Sequence, residues 1–193
     1  MSDIVRSAFL ISDDEYLDTH AEFEQYLIKR GVRVVHYVGA PPAVVERALE
    51  DYLGEQEPIA VSLISYLGHG SAEGWHTNNT TEFIPYARLS QLIQEYQHGY
   101  LKICASTCYG HRLIGRLIMD GHTRENTCVY TEQFKGNQAH APSLVGKLLK
   151  AWTRRRFVIE RETSMTEDAN AKPAFAYMVG VQGYGPSFDH HFW

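Results

Sequence analysis

Residues 59–70 read IAVSLISYLGHG, and residues 100–110 read YLKICASTCYG. Each is an apolar run that ends in a turn of small residues carrying one chemically able side chain, His69 in the first and Cys108 in the second. The run 59–67 is interrupted only by Ser62 and Ser65, the pattern of a strand covered on both faces. Residues 100–107 read the same way. Between the two runs lies a stretch with Gly68, Gly70, Gly74 and the pair Asn78-Asn79, which suits a loop with a small hairpin turn. Leu89, Leu92, Ile93 and Tyr96 follow at helical spacing, and Gly99 ends that helix.

The same alternation extends outward. Towards the N-terminus, residues 4–12 form an apolar strand. Ser12 and Glu15 have the spacing of a capping box, ahead of a helix carrying Tyr16, His20, Phe23 and Leu27 and ending at Gly31. Residues 33–38 (RVVHYV) are a β-branched and aromatic strand. Pro41-Pro42 opens a second helix with Val45, Leu49, Tyr52 and Leu53 on its apolar face, closed by Gly54 and Pro58. Towards the C-terminus come a helix with Leu113, Ile114, Leu117 and Ile118, a strand over 127–131, and a helix over 141–152. Residues 157–160 and 174–181 have strand character, and 166–172 is polar and unassigned. Arg154-Arg155-Arg156 reads as the cationic end of the helix before it.

Strands alternating with helices predict an α/β fold, a single domain over 1–193. Its core is a mostly parallel central sheet of about six strands with helices on both faces. Hydrophobic residues make up 44% and charged residues 21%, a globular composition. The net charge of −5 argues against a nucleic-acid partner. No apolar run is long enough to cross a bilayer, and no signal peptide is legible, so no membrane partner is expected. Three cysteines, Cys104, Cys108 and Cys128, are a poor disulfide framework and suit a reducing compartment, hence a cytoplasmic location.

In an open parallel sheet, ligands bind at the carboxyl ends of the strands. If the strands 59–67 and 100–107 are neighbours, their tips stand about 4.8 Å apart. They then bring an imidazole and a thiol over one edge. A nearby imidazole and a helix N-terminus both favour a thiolate nucleophile. The backbone N–H groups of Gly70 and Cys108 are the candidate oxyanion donors. Asp13 and Asp14 follow the first strand, and Glu132 and Gln133 follow the fifth. Either pair suits a basic or polar substrate side chain, while Asp13 and Asp14 also fit plain charge complementarity at a helix start. Trp75 and Tyr109 either wall the cleft or pack. Cys104 and Cys128 read as core residues. Zinc is disfavoured, because Cys104 and Cys108 on one strand would lie about 13 Å apart.

These stretches resemble the caspase-like cysteine peptidases, the group of caspases, metacaspases, legumain and clostripain-type enzymes. The shared pattern is an apolar strand ending in His-Gly (IAVSLISYLGHG) and a second ending in Cys before a glycine-containing turn (YLKICASTCYG). SAEGW at 71–75 and TCVYTEQF at 127–134 are also similar to members of the group. The resemblance covers roughly residues 4–150. It implies a caspase-like three-layer sandwich and a cysteine endopeptidase acting on a protein or peptide substrate without a cofactor or metal. It implies His69 as general acid/base and Cys108 as nucleophile, with no third catalytic residue required.

The departures fall on specificity. Ser106 stands where caspases and metacaspases carry an acidic residue or Gln lining the pocket for the residue before the cut, and Gly68 stands where legumain has an acidic residue. Ser106 is therefore a candidate substrate contact of unassigned preference. The connection at 121–126 is too short for the cleavable linker of caspases, so activation by cutting there is not expected. A different class of reading remains beside the peptidase: a catalytically silent caspase-like scaffold acting as an interaction module. Either reading accommodates a homodimer or a larger complex.

Overall fold

The computed structural model describes residues 5–58, 60–122, 127–132 and 174–179. The expected helix over 141–152, the strand over 157–160, the stretch 166–172, the arginine run at 154–156, Gln133 and most of the 121–126 connection lie outside them.

The strands of the main sheet are β1 (Val5–Ser12), β2 (Arg33–Val38), β3 (Val61–Leu67), β7 (Tyr100–Ser106), β8 (Thr127–Glu132) and β9 (Ala174–Val179). They lie in the order β2-β1-β3-β7-β8-β9. The pairs from β2 through β8 are parallel, and β9 runs antiparallel to β8. A second, antiparallel sheet is built from β4 (His69–Gly70), β5 (Gly74–His76) and β6 (Ile84–Pro85). It occupies the stretch read from sequence as a loop. The Asn78 side chain there accepts from the Thr80 backbone N–H at 3.3 Å and from its hydroxyl at 2.6 Å, so the Asn-Asn segment does turn the chain between β5 and β6.

Among the described residues, four α-helices flank the main sheet: α1 (Leu17–Ile28), α2 (Pro42–Gly54), α3 (Tyr86–Tyr96) and α4 (His111–Met119). The period-2 alternation of the strands divides the core in two. Phe9 and Ile11, Ile64 and Tyr66, and Leu101, Ile103 and Ala105 face α2, α3 and α4. Ala8 and Leu10, Leu63, and Cys104 face α1 through Phe23 and Leu27. Cys104 is therefore the core residue expected of it. Helices thus cover both faces of a mostly parallel sheet, as the alternation of strands and helices predicts.

One local expectation is corrected. Ser12 does not cap the first helix; its hydroxyl bonds His36 Nε2 at 2.8 Å. The cap is Asp13, whose carboxylate accepts from Glu15 N at 3.1 Å at the start of a single 3-10 turn, Asp14–Tyr16, that leads into α1. Trp75 is fully buried and stacks on Tyr66 with ring centroids 4.6 Å apart and planes 10° apart. It packs, and does not wall a cleft. Such a pair contributes about 0.5–1.5 kcal/mol beyond its burial. Among the described residues, no helix is long and apolar enough to cross a membrane.

Candidate active site

The sheet sets the two strands side by side. β3 and β7 are parallel neighbours, in register from Val61 opposite Tyr100 to Leu67 opposite Ser106. His69 stands two residues beyond Leu67, and Cys108 two residues beyond Ser106. Both therefore leave the carboxyl edge at adjacent tips. This edge also holds the tip of β1, because β1 pairs with β3 as far as Ser12 opposite Leu67. The strand order changes direction between β1 and β3, and ligands of open α/β sheets bind at the carboxyl ends beside such a switch point.

The two loops touch. A Cβ added to Gly70 would collide with Thr107 Oγ1 and lie 2.5 Å from the Cys108 carbonyl oxygen. Glycine is the residue that permits this approach. Tyr109, just after Cys108, has φ 58°, a left-handed conformation that non-glycine residues adopt at a cost of about 1–3 kcal/mol. That turn carries the chain into α4, where Arg112 N bonds Tyr109 O at 2.9 Å and Leu113 N bonds Gly110 O at 3.1 Å. Cys108 thus precedes a helix start, as expected, and its thiol is half-buried and not part of a disulfide.

The His69 side chain is 54% exposed, and its backbone is tightly held. Its N–H donates to Asp13 Oδ2 at 3.2 Å, and its carbonyl accepts from Tyr66 OH. Tyr66 OH also faces the His76 carbonyl at 2.7 Å. The Tyr16 ring meets the imidazole edge-on at 5.7 Å between centroids. His69 Nε2 lies 3.2 Å from Glu15 Oε2 and 4.0 Å from Asp13 Oδ2.

The remaining candidates separate clearly. The expectation that Asp13 meets substrate is corrected: the residue is fully buried, with one oxygen taken by Glu15 N and the other by His69 N. Burial, as the largest cause, raises its pKa, against the opposing pull of those N–H groups. Asp14 is exposed at the same edge, against Gly39. Ser106 and Glu132 are the last residues of β7 and β8, and Gln133 lies outside the described residues. Glu15 is the residue that sequence reasoning passed over. Its position directly after the two aspartates at the β1 tip was the available signal. Tyr86, at the start of α3, was also passed over. It is buried with no hydrogen-bond partner for its hydroxyl, and burial and then the proximity of Cys108 push its pKa up. Among the described residues, no group of three or more His, Cys, Asp or Glu side chains is arranged to hold a metal.

No family model matches the chain, and no curated protein does. Solved structures do. Protein GSU0716 from Geobacter sulfurreducens superposes with a TM-score of 0.56 and 12% identity, over 95% of this chain and 96% of that one. The caspase drICE superposes with a TM-score of 0.51 and 14% identity, over 76% of this chain and 74% of its own. At such identities the likeness is one of fold, and the fold it supports is caspase-like.

Proposed function

We propose that the chain is a cysteine endopeptidase working through His69 and Cys108. The observation that carries this reading is the in-register pairing of β3 with β7, which puts both residues two positions past adjacent strand ends. In this reading Cys108 Sγ attacks the scissile carbonyl. The backbone N–H groups of Gly70 and Cys108 hold the tetrahedral oxyanion. His69 takes the thiol proton and delivers it to the leaving amine, leaving a thioester that water hydrolyses. Asp14 keeps its exposed carboxylate at the edge and, with Ser106, Glu132 and Gln133, forms the set from which substrate preference is drawn. A protein or peptide with a basic or polar side chain before the cut suits these groups.

The test uses a fluorogenic peptide library together with peptidyl chloromethylketone labelling. Turnover and labelling are expected in the wild type, with Cys108 alkylated well before buried Cys104. Both are expected to vanish in Cys108→Ala with an unchanged unfolding midpoint. Failure of every electrophile to label Cys108 refutes the peptidase and leaves the silent scaffold. Full turnover by Cys108→Ala refutes the assignment of the nucleophile.

A further inference from the structure

We propose that Glu15 is a positioning carboxylate for His69. It accepts the imidazole Nε2–H, fixes the tautomer that bears that proton, and leaves Nδ1 as the nitrogen that exchanges a proton with Cys108. The inference rests on the dyad reading above and adds a member that reading does not require.

The contact itself is direct, 3.2 Å from Nε2 to Glu15 Oε2. Distance alone would carry little, since both side chains are more than half exposed and lone exposed ion pairs wander. The backbone supplies what such pairs ordinarily lack. The buried Asp13 carboxylate takes Glu15 N on one oxygen and His69 N on the other, at 3.1 and 3.2 Å. One rigid group therefore fixes both partners, although they lie 54 residues apart in the chain. Asp13 is itself anchored, its own N–H bonding Leu67 O at 3.3 Å. From the same turn, the Tyr16 ring forms a T-shaped pair with the imidazole, centroids 5.7 Å apart. The backbones that carry Glu15 and His69 are thus tied to one carboxylate before substrate arrives, which favours the contact through which a carboxylate acts on an imidazole's tautomer and aim.

The proton accounting is simple. The thiol proton moves to Nδ1 as the C–S bond forms, and it leaves on the amine as the C–N bond breaks. Glu15 forms no covalent bond and takes no part in the transfer. Its carboxylate faces the positive charge that the ring carries between those two events.

The experiment compares wild type, Glu15→Ala, Glu15→Gln and His69→Ala as full chains. It combines steady-state kinetics on the peptide substrate with nitrogen-15 NMR of the imidazole. Glu15→Ala is expected to lower kcat by about 10- to 100-fold, with KM and the urea midpoint unchanged. Glu15→Gln, whose amide oxygen still accepts from Nε2–H, is expected to recover most of the loss. His69 in the wild type is expected in the Nε2–H form, and Glu15→Ala is expected to spread it over both tautomers. An unchanged kcat in Glu15→Ala, or a raised one, overturns the proposal while an inactive His69→Ala leaves the dyad standing. If wild type and His69→Ala are equally inert, the peptidase reading fails, and the tautomer still decides about Glu15. An Nδ1–H form in the wild type overturns its role, and an Nε2–H form lost in Glu15→Ala supports it.

Discussion

Acidification should weaken this fold at His20. It sits on α1 with no exposed surface. Its Nε2 pairs with Ser65 Oγ at 2.8 Å, and its Nδ1 is buried without a hydrogen-bond partner. The Phe23 ring stacks on it, and the His36 ring meets it edge-on at 5.2 Å. His36 in turn bonds Glu24 at 2.9 Å. Burial first, and the neighbouring His36 second, hold the His20 pKa down at about 3, against 6.5 ordinarily. Above the ordinary value both folded and unfolded chains keep this ring neutral. Between about 3 and 6.5 the unfolded chain binds a proton that the folded chain refuses, so stability falls as pH falls. The slope is roughly 1 kcal/mol per pH unit, giving a loss of a few kcal/mol, about 3, by about pH 4.5. That is a large part of a typical domain stability of about 5–15 kcal/mol. Asp13 acts with the opposite sign. Its raised pKa means that the folded chain takes up that proton more readily than the unfolded one, so acidification favours the fold there. The two are separated by His20→Gln, which keeps a polar reach to Ser65 and does not titrate. Urea unfolding followed by circular dichroism at about pH 7 and about pH 4.5 should show the wild type losing about 3 kcal/mol more than the variant. Equal losses in the two proteins would refute the burial argument.

Two further outcomes follow from the site's construction. Asp13→Ala removes the acceptor of two backbone N–H groups, at a cost of about 1–3 kcal/mol for each that water does not reach; chemical denaturation should show the loss, and turnover should fall as the His69 loop loosens. Gly70→Ala drives a methyl group into Thr107 and the Cys108 carbonyl, costing roughly 1–3 kcal/mol; peptide turnover should fall more steeply than stability, and unchanged kinetics would show that the two loops have room to part.

The two strand tips were legible because their signal is local. A nine-residue run such as 59–67 cannot be anything but buried, and a His between glycines at its end has no packing duty. The helix boundaries at Pro42 and Gly54 were legible for the same reason, since proline and glycine act on their own backbone. The first cap was misread by one residue. Ser12 and Asp13 are both good caps, and the choice fell to a partner far along the chain, His36, which claimed the serine. The small sheet of β4, β5 and β6 escaped notice because strands this short carry no period. Asp13 and Asp14 are adjacent and chemically alike, yet one is sealed under the His69 loop and the other faces solvent.

The sequence by itself determined the strands β1, β2, β3, β7 and β8 and the helices α1 to α4, the faces they bury, and the His and Cys that follow two strand ends. Periodicity and turn chemistry act within a few residues, so they can be read in one dimension. Tertiary structure alone decided that β3 lies between β1 and β7. That placement stacks three strand tips on one edge and brings Glu15 to an imidazole 54 residues away. Strand order is a matter of non-local pairing, fixed by how whole faces pack, and no short stretch of chain encodes it.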